Sequence, residues 1–298
     1  MAKTASKKIL IAVDFDEQSL VALKQGLNFC QKIGAEVTLL HVIEDSGILG
    51  KYLNPIQYET IRKDVEKQLD ALLSGINKEF NSIKIEKLVA RGRVYEKILE
   101  AAEMLQAHVI VMGCNGKTKS RIRFIGSNTL QVVRSSKCPV ISIKGKLHRK
   151  GCKNIVLPLD LTKETREKVG KTIEFARLYG SAVRVVSVIF TKDEFIVNRL
   201  TRQLAQVKTF LEKSNIECTA EIIKGIKGEE SLAQCIVDYA EKVDGDLLLM
   251  MTQQEVDFTD YFIGSSAQEI ILRAEMPVLS IIPGTVKEPL ALLPGKKS

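Results

Sequence analysis

Tryptophan is missing altogether from the 298 residues, and all aromatics together make up 5% of the chain. The six cysteines (Cys30, Cys114, Cys138, Cys152, Cys218 and Cys235) are scattered, with no C-x-x-C pair. That scatter excludes zinc-ligand spacing and a dense disulfide framework. They read as small core residues of a protein in a reducing compartment. Cys114 alone lies inside a glycine-rich segment, where a redox-sensitive thiol is the alternative reading. Histidine is equally sparse, at His41, His108 and His148. None has a partner at metal-ligand spacing, so no metal site is expected. No apolar run approaches the roughly 20 residues of a membrane span. The opening "MAKTASKK" leads straight into a strand pattern and lacks the form of a signal peptide. The expectation is a soluble, cytoplasmic protein with no membrane association.

The length suggests two domains of ordinary size, and an apolar fraction of 45% suffices for packed cores. Formal net charge is +8, unevenly spread. Residues 1–150 hold 25 Lys/Arg against 15 Asp/Glu, and the remainder holds 19 against 21. A basic half could engage nucleic acid through phosphates. That half has few aromatics for base stacking, however, and no helix-turn-helix or RNA-binding signature. Nucleic acid is therefore not expected as a partner.

The chain repeats itself. "FIGS" at Phe124–Ser127 returns at Phe262–Ser265, and "CPVISI" from Cys138 returns as "MPVLSI" from Met276. The opening "KILIAVD" from Lys8 returns as "NIVLPLD" from Asn154. A repeat this long means tandem domains rather than a solenoid. The predicted boundaries are 1–146 and 152–284, with a basic linker around "KGKLHRKGCKN" and a tail at 285–298.

Each copy alternates strand and helix. "ILIAV" and "VTLLHVI" are continuous apolar runs, as in strands buried on both faces. Between them Leu20, Leu23, Leu27 and Cys30 form one helical face, with Asp16 as N-cap and Gly34 as terminator. Ile61, Val65, Leu69, Leu72 and Leu73 mark a second helix. A strand near Ile83–Ala90, a helix from about Tyr95 to Leu105, the strand "HVIVM", a short helix from Gly126 and the strand "PVISI" complete the copy. In the second copy the first helix begins near Thr162, Leu200, Leu204, Val207 and Leu211 mark the second helix, and "LLLMM" is the fourth strand. Repeated crossovers favour an α/β fold: two tandem open parallel five-stranded sheets flanked by helices.

The fourth strand of the first copy runs into the segment "VIVMGCNGKTKSRIRFIGSNTLQVV", Val109–Val133. It spaces Gly113, Gly116, Gly126 and Ser127 as G-x2-G-x9-G-S. Glycine lets a backbone approach a ligand where a side chain would intrude. A helix starting after Gly126 presents free N–H groups and the Ser127 hydroxyl to an anion. The pattern reads as a phosphate cradle, against a plain strand-to-helix turn. It is not a P-loop, because Val111 stands where that motif needs its first glycine, and it does not spell the Rossmann G-x-G-x-x-G.

This motif, the opening Lys7–Glu44 and the closing "KCPVISI" at Lys137–Ile143 resemble the universal stress protein family. The resemblance implies strand order 3-2-1-4-5, an adenine nucleotide alpha hydrolase-like fold. It implies ATP as ligand, with or without magnesium, AMP and ADP remaining open. Asp14 would contact ribose, Val13 and Val42 would border adenine, and Met112 would line the pocket. Gly113, Gly116, Gly126, Ser127 and Asn128 would hold ribose and phosphates, and Gly92 resembles a glycine near that pocket. Lys117, with Lys119, Arg121 and Arg123, supplies cations from the spacer. Single-domain relatives dimerise, so the resemblance implies an internal pseudo-dimer through the fifth strands. It leaves homodimerisation of the chain open.

The second copy keeps Asp160, Gly264 and Ser265 but has Met251 and Gln254 at the positions of Gly113 and Gly116. Its spacer carries Glu255, Asp257 and Asp260 in place of cations. Opposite charges about 4 Å apart interact by roughly 1 to 4 kcal/mol near a surface. One occupied nucleotide site and one empty one are therefore expected. The leading function is a non-catalytic, ATP-binding regulatory protein of stress tolerance, acting through an unidentified protein partner. The alternatives are a nucleotide-independent scaffold and a slow ATPase or autophosphorylating protein, with Ser127 or Ser120 as acceptor and no supporting base.

Overall fold

The computed structural model describes residues 7–45, 54–76, 78–114, 125–146, 150–160, 165–252 and 264–283. The chain divides into two compact units, 1–150 and 151–298. In the first, the order is β1 (Lys8–Ala12), α1 (Glu17–Ile33), β2 (Glu36–Glu44), α2 (Pro55–Ile76), β3 (Ile85–Gly92), α3 (Val94–Leu105), β4 (Val109–Gly113), α4 (Ser127–Ser135) and β5 (Val140–Ile143). The strands pair in parallel in the order β3-β2-β1-β4-β5. Ile9, Leu10 and Ile11 of β1 are all buried, as a central strand covered on both faces requires.

Helix α1 begins and ends where the sequence says it should. Asp16 accepts a hydrogen bond from the Ser19 N–H at 2.7 Å, and Gly34 closes the helix in the left-handed region at φ 62°. Leu23, Leu27 and Cys30 are buried, while Leu20 is half-buried. The helix lies close on β1 and β4: a Cβ at Gly26 would stand 2.9 Å from Ile11 Cδ1 and 3.1 Å from Val111 Cγ1. The third strand starts two residues later than its apolar run. Pairing with β2 begins at Val37 and Ile85, whereas Ile83 is buried in the preceding turn, its N–H bonded to Phe80 O.

The second unit repeats the plan with β6 (Asn154–Pro158), α5 (Thr165–Tyr179), β7 (Ala182–Ile189), α6 (Glu194–Lys213), β8 (Cys218–Lys224), α7 (Leu232–Lys242), β9 (Leu247–Met251), α8 (Ser265–Arg273) and β10 (Val278–Ile281). Its parallel order is β8-β7-β6-β9-β10, the same arrangement. Gly180, at φ 66°, sits where Gly34 sits in the first unit.

A side-chain acceptor starts each first strand, exposed in the first unit and buried in the second. In the first unit the Lys8 N–H donates to His108 Nδ1 at 3.3 Å. In the second, Asp246, 1% exposed, accepts from the backbone N–H groups of Lys153 and Asn154 at 2.7 and 2.8 Å. A buried donor left without its partner costs about 1–3 kcal/mol. Asp246→Ala is expected to lower unfolding free energy by about 2–4 kcal/mol, measured by urea denaturation. His108→Ala, removing one long exposed bond, is expected to lower it by less than about 1 kcal/mol.

Candidate functional site

In an open α/β sheet the ligand crevice lies beyond the carboxyl ends of the strands, where the chain departs in opposite directions from two neighbours. Here those neighbours are β1, whose chain continues to β2 on one side, and β4, which continues to β5 on the other. Asp14 follows β1 and Gly113 ends β4. The two residues, 99 positions apart in sequence, thus lie at the carboxyl ends of neighbouring strands.

The Asp14 turn is tied at every residue. Val13 is buried, and its N–H donates to Leu40 O at 2.9 Å. Its carbonyl accepts from His41 Nδ1 at 2.8 Å. The Asp14 N–H donates to Ser19 Oγ, and Asp14 Oδ1 accepts from the Asp16 N–H, both at 3.2 Å. Phe15 takes the left-handed φ of 66°, uncommon for a non-glycine, and its ring lies 4.8 Å from that of His41. The Asp14 side chain is left exposed at the mouth. Burial pushes the neighbouring Asp16 carboxyl above its ordinary range, and the proximity of Asp14 adds to the shift.

The opposite wall is a clamp. The Gly126 N–H donates to Cys114 O at 2.9 Å, and Thr129 Oγ1 donates to Gly113 O at 2.9 Å. These bonds bring the two ends of the intervening loop together beside the start of α4. Gly126 is the N-cap and supplies no side-chain cap. The first helical bond is Leu130 N–H to Gly126 O, so the N–H groups of Ser127 and Asn128 precede it at the positive end of the helix. Ser127 is exposed and Asn128 half-buried. Met112 is buried, Val42 half-buried and Gly92 buried at the end of β3. Gly116 and Lys117, with the remaining basic spacer residues, lie outside the described residues.

Gly113 has a neighbour the sequence did not disclose. A Cβ there would stand 3.0 to 3.2 Å from the backbone of Gln18 and Ser19 in α1. The residue is needed for the close approach of the helix. Ser19 and Thr129 were also missed. Their signal was weak: a hydroxyl residue five places after the aspartate recurs as Thr165 after Asp160, whereas Ala267 replaces Thr129. Cys114 is fully buried, and burial pushes its thiol up to about 12. That disposes of the redox reading, since the reactive form is the thiolate. Among the described residues no cluster of His, Cys, Asp or Glu could hold a metal ion.

The second unit retains a crevice at the matching place, a cavity of about 250 Å³. Its lining differs: Met251 replaces Gly113, and Lys168 Nζ donates to Asp160 Oδ1 at 3.2 Å. The Thr165 hydroxyl donates to Asp160 O at 3.3 Å, whereas the equivalent Ser19 Oγ accepts from the Asp14 N–H. Gln254 and the acidic spacer lie outside the described residues.

Two parallel α/β units, each with its change of strand direction between first and fourth strands, define a tandem protein of the open doubly wound class. The sequence profile described as the universal stress protein family matches residues 5–144 and again 151–281, and the chain belongs to that family as a two-domain member. Universal stress protein MJ0577 of Methanocaldococcus jannaschii is 29% identical over 155 residues, covering 47% of this chain and 96% of its own length. MJ0531 of the same organism is 31% identical over 140 residues, 46% of this chain and 82% of its own. A solved universal stress protein from Archaeoglobus fulgidus covers 94% of this chain and 100% of its own, with a TM-score of 0.75 at 20% identity. No helix among the described residues is long and apolar enough to cross a membrane.

The contact between Gly113 and α1 has a direct consequence. Gly113→Ala sets a Cβ against backbone that cannot swing aside, and overpacking of this kind costs about 1–3 kcal/mol. Thermal melting of nucleotide-free protein is expected to fall by several degrees. An unchanged melting temperature would assign this glycine to the ligand alone.

Proposed function

We propose that the first domain binds an adenine nucleotide, ATP foremost, and that the chain acts as a nucleotide-dependent regulator in stress tolerance. The observation that carries this reading is the clamp at Cys114–Gly126 and Gly113–Thr129. It holds the start of α4 beside the end of β4, the strand next to β1, which the exposed Asp14 follows. A carboxylate accepts hydrogen bonds from ribose hydroxyls, and helix-start N–H groups donate to phosphate oxygens. Val13, Val42 and Met112 offer an apolar border for the base. The cations Lys117, Lys119, Arg121 and Arg123, all within the loop that the clamp closes, are the counter-charge a triphosphate requires.

Nucleotide in the first domain only is part of the same proposal. Met251 carries a side chain where Gly113 has none, and the second spacer is acidic. Occupancy would act by coupling: a ligand that favours one arrangement of the basic loop shifts the surface a protein partner meets. The chemistry asked of the site is binding, with no bond made or broken.

Calorimetric titration with Mg-ATP tests this. One site per chain is expected. Gly126 has φ −57° and ψ 140°, which any residue can adopt, so Gly126→Leu should fold and lose binding by obstruction. Asp14→Ala is expected to weaken binding about tenfold, the scale of a hydrogen bond to a charged group. Two sites would remove the restriction to the first domain. Absence of binding at millimolar ATP would leave a nucleotide-independent scaffold.

A further inference from the structure

The crevice of the second domain has changed its chemistry rather than lost its cavity. Strand register and helix ends match the two domains position by position, so the substitutions can be followed pair by pair. Val94 becomes Leu232, Val132 becomes Ile270, Thr129 becomes Ala267 and Gly113 becomes Met251, all lining the cavity. At the carboxyl edge of the sheet Glu44 becomes Phe190. Each exchange enlarges the apolar surface or removes a polar group.

Two lining exchanges run the other way: Cys114 becomes Thr252, whose hydroxyl bonds Ile281 O, and the larger change is at Ala22. Ala22, fully buried against the first sheet, is replaced by Lys168. Lys168 is 9% exposed and lines the cavity. A lysine ammonium carries three donors. Among the described residues it makes one hydrogen bond, to Asp160 Oδ1 at 3.2 Å, and the Asp160 side chain is 39% exposed. Burying a cation with donors unspent is unfavourable unless an acceptor reaches them. The cavity thus has an apolar body bounded by Val186, Val188, Ile236 and Met250, and one cationic end shared with a carboxylate.

We propose that this cavity is a binding site for a small aliphatic carboxylic acid. Its carboxylate accepts from Lys168, and its hydrocarbon body replaces water against the apolar wall. The ammonium is shared with the Asp160 carboxylate, so a ligand carrying one negative charge meets the least repulsion there. A polyphosphate would bring several charges up to the Asp160 carboxylate and meet the Met251 side chain. At about 250 Å³ the cavity lies just below the roughly 300–1,000 Å³ usual for drug-sized ligands, which favours a short chain. The assignment concerns the second domain alone and does not depend on nucleotide binding in the first.

Methionine methyl NMR on the full chain reads this site directly. Of the six methionines, Met250 and Met251 line the cavity, and Met112 is the counterpart of Met250 in the first domain. Titration with hexanoate and octanoate is expected to shift the Met250 and Met251 methyls saturably and leave Met112 and Met276 in place. Octanol should bind at least tenfold more weakly than octanoate. Lys168→Met should remove that preference, weakening octanoate at least tenfold with little change for octanol. Ala267→Leu keeps the ammonium, fills the cavity and should abolish both. Unmoved Met112 and Met276 resonances certify that each variant is folded. The proposal is overturned if neither acid shifts Met250 and Met251 up to millimolar concentration. It is equally overturned if acid and alcohol bind alike in the unaltered protein, or if Mg-ATP gives the saturable shift instead.

Discussion

The first domain's site depends on how closely helix α1 lies against β1 and β4. Two glycines permit the approach. Gly26 faces Ile11 and Val111 from the helix side, and Gly113 faces the Gln18 and Ser19 backbone from the strand side. With the helix seated there, its first turn falls beside the end of β4. Ser19 then holds the Asp14 N–H, and the Asp14 carboxylate is left at the mouth. A close-packed interior transmits small displacements, so a helix held further out would carry the Asp14 turn away from the start of α4. The site is in this sense a by-product of packing.

The second domain meets the same constraint differently. Thr172 occupies the position of Gly26, is fully buried, and donates its hydroxyl to the Lys168 carbonyl at 2.8 Å. Met251 fills the position of Gly113. One turn before Thr172, Lys168 sends its ammonium to Asp160. The aspartate that is exposed in the first domain is paired with a lysine in the second. A duplicated fold has therefore kept its strand order and its crevice while the charge in that crevice changed hands.

Much of this was legible without coordinates, and the reasons are local. Apolar runs bounded by glycine mark buried strands, and their repetition at long period marks two copies. Asp16 and Gly34 act through their own neighbouring backbone, so the ends of α1 could be placed from sequence. The start of β3 could not, because Ile83 is apolar enough for a strand but its partner strand begins opposite Ile85. Thr129 was passed over because its partner, Gly113 O, is 16 residues away across a loop. Lys168 carries no motif or spacing that singles it out in the sequence. Only its burial beside Asp160 gives it a role.

By itself, the sequence determined the parallel α/β class and the duplication, and its motifs carried the resemblance to the family. Those follow from periodicity, capping and motif spacing, which are written along the chain. The tertiary structure alone decided that Gly113 serves a helix, that Cys114 is sealed in the core, and that the second crevice persists as a largely apolar cavity with a buried lysine. Each of these is a distance between segments far apart in sequence. Such distances are fixed by how side chains fill space, and the order of residues does not record them.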